Sequence, residues 1–252
     1  MPRQPRSIGE YMHIIVRGNG KQILFEDASD REKYLYLLEK YAEETGVSIL
    51  AYCLMENHVH LLIRDSTGNA SVFMKKIGVG YARHYNRKYE RTGHLFQDRY
   101  KSEIITDDAR LLSAFRYILN NPEKAGICRA EDYRWSSIRE YRSGKGLTDP
   151  GMLRKMIGGE AEFRAFLKQQ DDAEHIESEP GKKDDAWAIE MLQKTLNITN
   201  GTQLQQLDRA QRDMALVMLK RKGLTVRQIE RLTGINRGVI QKAKVVNENR
   251  PQ

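Results

Sequence analysis

An α+β fold is predicted for this chain: a ferredoxin-like split βαβ unit with an antiparallel sheet, followed by a small all-α helix-turn-helix domain. Three observations carry the prediction. Apolar patterns between residues 11 and 121 follow the order β-α-β-β-α-β-α. At the centre of that order, an apolar run from Ser48 to Met55 halts at Glu56-Asn57 and resumes as His58 to Ile63, the signature of a buried hairpin. Beyond an acid-rich stretch, Asp171 to Asp185, containing Glu179-Pro180-Gly181, the chain becomes helical and basic. The expected division is a domain over 1–145, a helical extension and acidic linker over 146–183, and a helix-turn-helix domain over 184–252.

Tyr11 to Arg17 is β-branched and weakly alternating, so it reads as the first strand, ended by Gly18-Asn19-Gly20. Asp30 is expected to cap a helix reaching about Glu44, in which Tyr34, Leu35, Leu37, Leu38 and Tyr41 recur at helical spacing. The hairpin follows, then a helix from about Asn69 to Tyr89. A fourth strand is expected over Gln97 to Ile105. Thr106-Asp107-Asp108 opens a third helix, which proline should stop at Asn120-Asn121-Pro122. Tyr133 to Ser137 reads as a short wrap that packs Trp135 on the sheet. Two short helices, Pro150 to Ile157 and Ala161 to Gln170, complete this part. Near the end, Leu216, Val217 and Leu219 mark one helix. Thr225 caps the next, Gly234 supplies a turn, and Asn236 opens the last.

The 252 residues have ordinary apolar content and a net charge of +8, a balance that favours an anionic partner such as nucleic acid. Two cysteines, Cys53 and Cys128, build no disulfide framework and fit a reducing compartment. No apolar run approaches the length of a membrane span, and residues 1–7 lack the apolar core of a secretory signal. The expectation is a cytoplasmic protein associated with the nucleoid and with no membrane partner.

Alternate residues of a strand share a face, so His58 and His60 project together while Val59 and Leu61 enter the core. The pair is half a divalent-cation site, or two rings satisfied by backbone carbonyls. By the same parity Cys53 is expected on the other side, which argues against zinc. Tyr117 and Asn121, four residues apart, share one face of the third helix. If that helix lies beside the central strands, Asn121 reaches the cation and Tyr117 aims its hydroxyl at a phosphate on the same ion, the arrangement of an activated nucleophile. Tyr81, Tyr85 and Tyr89 form a packed or stacking stripe. Lys75, Lys76, Arg83, Arg87, Arg99 and Lys101 make a basic surface, interleaved with Tyr and His, that suits single strands or is simply solvated. Tyr100 is expected on a strand beside Arg99. His84 and His94 read as surface or structural. In the last helices Arg227, Asn236, Arg237, Gln241 and Lys242 are candidates for duplex contact, unless the helices form a dimerisation bundle.

Four motifs occur in order: Met-Glu-Asn-His58-Val-His60-Leu-Leu, Gly93-His-Leu-Phe-Gln-Asp-Arg-Tyr-Lys101, Tyr117-Ile-Leu-Asn-Asn-Pro122-Glu-Lys-Ala-Gly126 and Tyr133-Arg-Trp-Ser-Ser137. Over residues 8 to 142 the chain resembles the HUH single-tyrosine transposases, and within them the REP-associated tyrosine transposase branch. The resemblance implies a metal-dependent enzyme, with Mg²⁺ or Mn²⁺, acting on single-stranded DNA hairpins at repeat ends as a monomer or homodimer. It implies that His58 and His60 bind the metal, that Tyr117 is the nucleophile forming a 5′-phosphotyrosine intermediate, and that Asn121 stands where many relatives have a Gln ligand. Gly223 to Ile235 is similar to the helix-turn-helix of the replication-initiator and Trp-repressor type, which implies a second, duplex contact. The rival readings are a domesticated, non-catalytic regulator acting through that motif, and an RNA-binding module, which would carry aromatics rather than paired histidines on its sheet.

Overall fold

A computed structural model describes residues 10–169, 175, 185–198 and 200–243. Within them the order is β1 (Tyr11–Arg17), α1 (Ala28–Thr45), β2 (Ser48–Leu54), β3 (His58–Arg64), α2 (Ala70–Lys88), β4 (Lys101–Ile105) and α3 (Asp108–Lys124). The sheet order is β2-β3-β1-β4 with every neighbouring pair antiparallel, the expected split βαβ arrangement. Shorter helices follow: α4 (Ile138–Ser143), α5 (Gly151–Ile157), α6 (Glu160–Leu167), α7 (Asp185–Leu196), α8 (Arg209–Arg221), α9 (Val226–Thr233) and α10 (Arg237–Lys242). Among the described residues no helix is long and apolar enough to cross a membrane.

The sheet is buried on both sides, which explains strands that read as nearly continuous apolar runs. One face presents Ile14, Val16, Val59, Leu61 and Ile63 to α1 and α2. The other presents Ala51, Cys53 and Leu62 to α3, and α4, α5 and α6 close over it with Tyr141, Leu153, Phe163 and Phe166. A register irregularity between Ile49 and Ala51 sends these two residues to opposite faces. Trp135 packs against both cores, and its carbonyl accepts from Leu54 N–H at 2.9 Å.

Several boundaries differ from expectation for identifiable reasons. Asp27, not Asp30, is the N-cap of α1, and Asp30 stands three residues on in a capping box. β4 begins at Lys101 rather than Gln97, and Tyr100 precedes it. The preceding loop bonds through Gln97 N–H to Arg17 carbonyl at 3.0 Å, and Gly18 bridges Phe96, so this segment is held without joining the strand. α3 continues through Pro122 to Lys124. Asn121 and Pro122 are both buried, and Ala125 N–H still bonds Asn121 carbonyl at 2.9 Å, so packing overrides the missing proline donor.

The tyrosine stripe of α2 is structural. Tyr81 donates to Leu24 carbonyl, Tyr85 to Glu26 at 2.8 Å and Tyr89 to Asp30 at 2.6 Å. Asp30, fully buried, also pairs with Lys88 at 2.8 Å and accepts from Glu26 N–H at 2.9 Å. Asp30→Ala is expected to lower stability by about 3 kcal/mol, because Lys88, the Tyr89 hydroxyl and the helix start lose one shared acceptor. Urea unfolding checks this, as a fall in midpoint at unchanged slope.

The C-terminal helices enclose their own core of Leu192, Leu216, Leu219, Ile229, Leu232 and Ile240. Thr225 makes a reciprocal capping box with Gln228, and Gly234 sits at φ 67°, the left-handed turn between α9 and α10. This unit touches the first through Ile23 N–H to Arg231 carbonyl at 3.3 Å and Gln206 to Tyr89 carbonyl at 3.2 Å. Except for His175, the acid-rich stretch up to Asp184 lies outside the described residues.

Candidate active site on the α3 face of the sheet

Residues directly opposed on neighbouring strands share a face. The β1–β3 register pairs Arg17 with His58, Ile15 with His60 and His13 with Leu62. The β1–β4 register pairs Ile15 with Lys101 and His13 with Glu103. One face therefore carries His58, His60, His13, Arg17, Lys101 and Glu103, and α3 lies over it. Cys53 is opposite His60 and packs in the same core as Tyr117. The expectation that it faces away fails because Met55 pairs with His58 around two residues, Glu56 and Asn57, and an even-numbered turn puts residues of opposite parity on one face. Its thiol is nevertheless a poor ligand: burial raises its pKa, and Cys53 Sγ lies 3.6 Å from Met55 Sδ.

α3 brings Tyr117 and Asn121 to this face together. Tyr117 is 7 % exposed, with its ring centroid 5.6 Å from that of His60 and 5.8 Å from that of His13. Lys124 Nζ stands 4.4 Å from the Tyr117 ring centre, and the His175 ring covers it at 4.6 Å. Asn121 hydrogen-bonds His58. His58 Nδ1 lies 2.7 Å from Asn57 Oδ1, and His60 Nδ1 lies 3.0 Å from His13 Nε2. With each Nδ1 so engaged, Nε2 is the nitrogen that each ring would offer an ion. Burial, then the Arg17 charge, holds the His58 pKa down to about 3. Burial first, then the neighbouring histidines and Arg17, holds His60 well below the usual imidazole range. Both rings are neutral at neutral pH, the state in which imidazole binds metal. Two neutral imidazoles and a carboxamide oxygen are a donor set that a divalent cation accepts, with positions left for phosphate oxygens. His58, His60 and Asn121 thus fit the implied ion.

The other candidates fall elsewhere. Lys75, Lys76, Arg83 and Arg87 belong to α2, on the opposite layer from Tyr117. Arg83 and Arg87 share a groove with Lys33 and Lys40 between α1 and α2, and Lys76 is paired with Glu44. Lys75 and Arg99 line a cleft between α2 and the 93–100 loop. Of the six, Lys101 alone shares the sheet face of His60. His84 pairs with Asp30 at 3.4 Å and His94 is exposed. In the C-terminal unit Arg227, Gln241 and Lys242 are exposed. Arg237 is ion-paired with Glu230, and Asn236 accepts from Gly238 N–H at 2.8 Å as a helix cap.

Four residues of this face went unnoticed in the sequence: His13, Arg17, Glu103 and His175. His13 and Arg17 had a usable signal, since they share parity on a strand whose neighbour carries His58 and His60. His175, in an acid-rich stretch, had none.

Comparison with known proteins agrees with this fold. Residues 8–121 match the model of the family described as "Transposase IS200 like". A Haemophilus influenzae protein provisionally named a REP-associated tyrosine transposase is 25 % identical over 141 residues, 51 % of this chain and 78 % of that one. The solved structure of a REP-associated tyrosine transposase bound to a REP hairpin superposes with a TM-score of 0.50 at 16 % identity. It covers 71 % of this chain and all of the other, a likeness of fold.

Proposed function

We propose that this chain, whose residues 8–121 match the IS200-like transposase family, is a metal-dependent DNA strand transferase. It cleaves and rejoins single-stranded DNA at hairpin-forming repeat ends through a 5′-phosphotyrosine intermediate. The convergence of Tyr117, Asn121, His58 and His60 on one sheet face carries the reading. The Haemophilus influenzae relative and the fold neighbour, a REP-associated tyrosine transposase bound to a REP hairpin, support the substrate class.

In this reading Tyr117 Oη attacks the scissile phosphorus, the P–O3′ bond breaks, and the phenolic proton ends on the departing 3′ oxygen. Rejoining reverses the exchange with another 3′-OH. His58, His60 and Asn121 would hold Mg²⁺ or Mn²⁺, which when bound neutralises the phosphate and polarises phosphorus. Arg17 and Lys101, on the same face, bind the flanking phosphates, and Lys124, over the Tyr117 ring, adds a third cation close to them. Lys75, Lys76, Arg83, Arg87 and Arg99, on the other layer, hold DNA away from the scissile bond, so losing them weakens affinity and flattens its salt dependence. Arg227, Asn236, Arg237, Gln241 and Lys242 provide a separate duplex contact.

The test mixes the full chain with Mn²⁺ and 5′- or 3′-labelled single-stranded hairpins copied from repeats flanking its gene. Denaturing gels are expected to show a metal-dependent protein–DNA adduct carrying the 3′-labelled fragment. Binding without any adduct, across several repeats and both metals, would replace the enzyme by a DNA-binding regulator.

A further inference from the structure

His13, Glu103 and His175 each present one ligating atom within 4.8 Å of the other two. His13 and Glu103 face each other across β1 and β4, and the His175 ring meets that of His13 edge-on at 6.3 Å. His13 is wholly buried. Its Nε2 is engaged with His60 at 3.0 Å, and its Nδ1 has no hydrogen-bond partner among the described residues. A buried imidazole nitrogen left in that state calls for an occupant. His175 Nε2 stands 2.9 Å from Ser113 Oγ. Donation to that hydroxyl puts the His175 lone pair on Nδ1, the usual way an outer partner orients a ligating histidine.

We propose that these three side chains form a second metal site, separate from the His58–His60 pair and suited to zinc-class ions. Two imidazoles and a carboxylate are a recurrent zinc donor set, with one position left for water. A tetrahedral ion spaces its ligands by roughly 3.3–3.6 Å, so the atoms need draw in by about an ångström. At a given nitrogen and carboxylate site Zn²⁺ and Co²⁺ bind more tightly than Mn²⁺, so a zinc-class ion outcompetes the catalytic ion here. Glu103 is held by Arg110 at 3.2 Å, an exposed pair that an ion would outcompete.

Resting on the transferase reading, the site has a consequence for activity. His13 and His60 share one hydrogen bond and therefore one proton between Nε2 and Nδ1. An ion on His13 Nδ1 requires the proton on His13 Nε2, so His60 Nδ1 becomes the acceptor. His60 then carries its own proton on Nε2 and withdraws from the catalytic ion. The same ion fixes His175 over the Tyr117 ring. Both effects have one sign, inhibition.

The experiment uses the full chain stripped by chelator, with Co²⁺ as an optical probe and Zn²⁺ as competitor. Equilibrium dialysis and visible absorption are expected to show a Co²⁺ site that His58→Ala retains. Glu103→Gln and His175→Asn should each weaken it about tenfold or more. In Mn²⁺-driven hairpin cleavage, added Zn²⁺ should inhibit the wild type and spare His175→Asn. Equal Co²⁺ affinity in both variants, or loss of the site in His58→Ala, overturns the proposal. A chain that binds Co²⁺ as expected yet never cleaves DNA overturns the transferase reading and leaves the site standing.

Discussion

The Tyr117→Phe protein is expected to lose strand cleavage by on the order of 10⁴-fold or more, with hairpin affinity held within about twofold. Removing a nucleophile leaves only the catalysis that binding and charge supply, which is why such losses are large. The change deletes one oxygen and keeps the ring. The ring makes the packing contacts: His60 at 5.6 Å, His13 at 5.8 Å and Lys124 over its face. Stability should therefore move by less than about 1 kcal/mol. Five other tyrosines of the domain are tied elsewhere by hydrogen bonds. Tyr81, Tyr85 and Tyr89 are bonded into the α1–α2 layer, and Tyr133 and Tyr141 donate to the Leu54 and Leu50 carbonyls. Single-turnover cleavage, with binding measured in parallel at one salt concentration, checks both halves. A variant that still nicks within tenfold of wild type removes Tyr117 from the mechanism.

The part of this site that was legible in sequence is the part encoded by local periodicity. His58 and His60 had to share a face because strands alternate, and Tyr117 and Asn121 had to share one because helices return every four residues. Hidden in the sequence was whatever depends on register between elements. Cys53 faces the histidines only because an even number of residues, Glu56 and Asn57, separates the opposed Met55 and His58, and Glu103 meets His13 only through the β1–β4 pairing. The layer occupied by Lys75, Lys76, Arg83 and Arg87 follows from which side of the sheet α2 crosses, and no charge pattern states that. α3 running past Pro122 shows the reverse failure: a sound local rule overridden by burial. Strand order, by contrast, followed from the β-α-β-β-α-β sequence, because split βαβ units have few other ways to pair.

Removing one imidazole of the pair should separate an enzyme from a regulator. His60→Ala is expected to lower Mn²⁺ affinity and to cut adduct formation by on the order of 10³-fold, since an ion on the phosphate contributes several kcal/mol and each 1.4 kcal/mol is tenfold. His58→Ala should behave alike, because each ring supplies one donor to the same ion. His60 is wholly buried and bonded to His13, so its loss also opens a small cavity beside β1. A thermal scan without metal therefore accompanies the assay. His60→Gln, which keeps bulk and a polar tip, separates metal loss from unfolding. Hairpin affinity should persist in each variant through the cations on the α2 layer and the 93–100 loop, which do not touch this face. A regulator reading through α10 has no use for the pair, and for it His58→Ala and His60→Gln would leave both DNA affinity and Mn²⁺ binding where they were. Loss of metal with DNA binding intact is the outcome that only the catalytic reading accommodates.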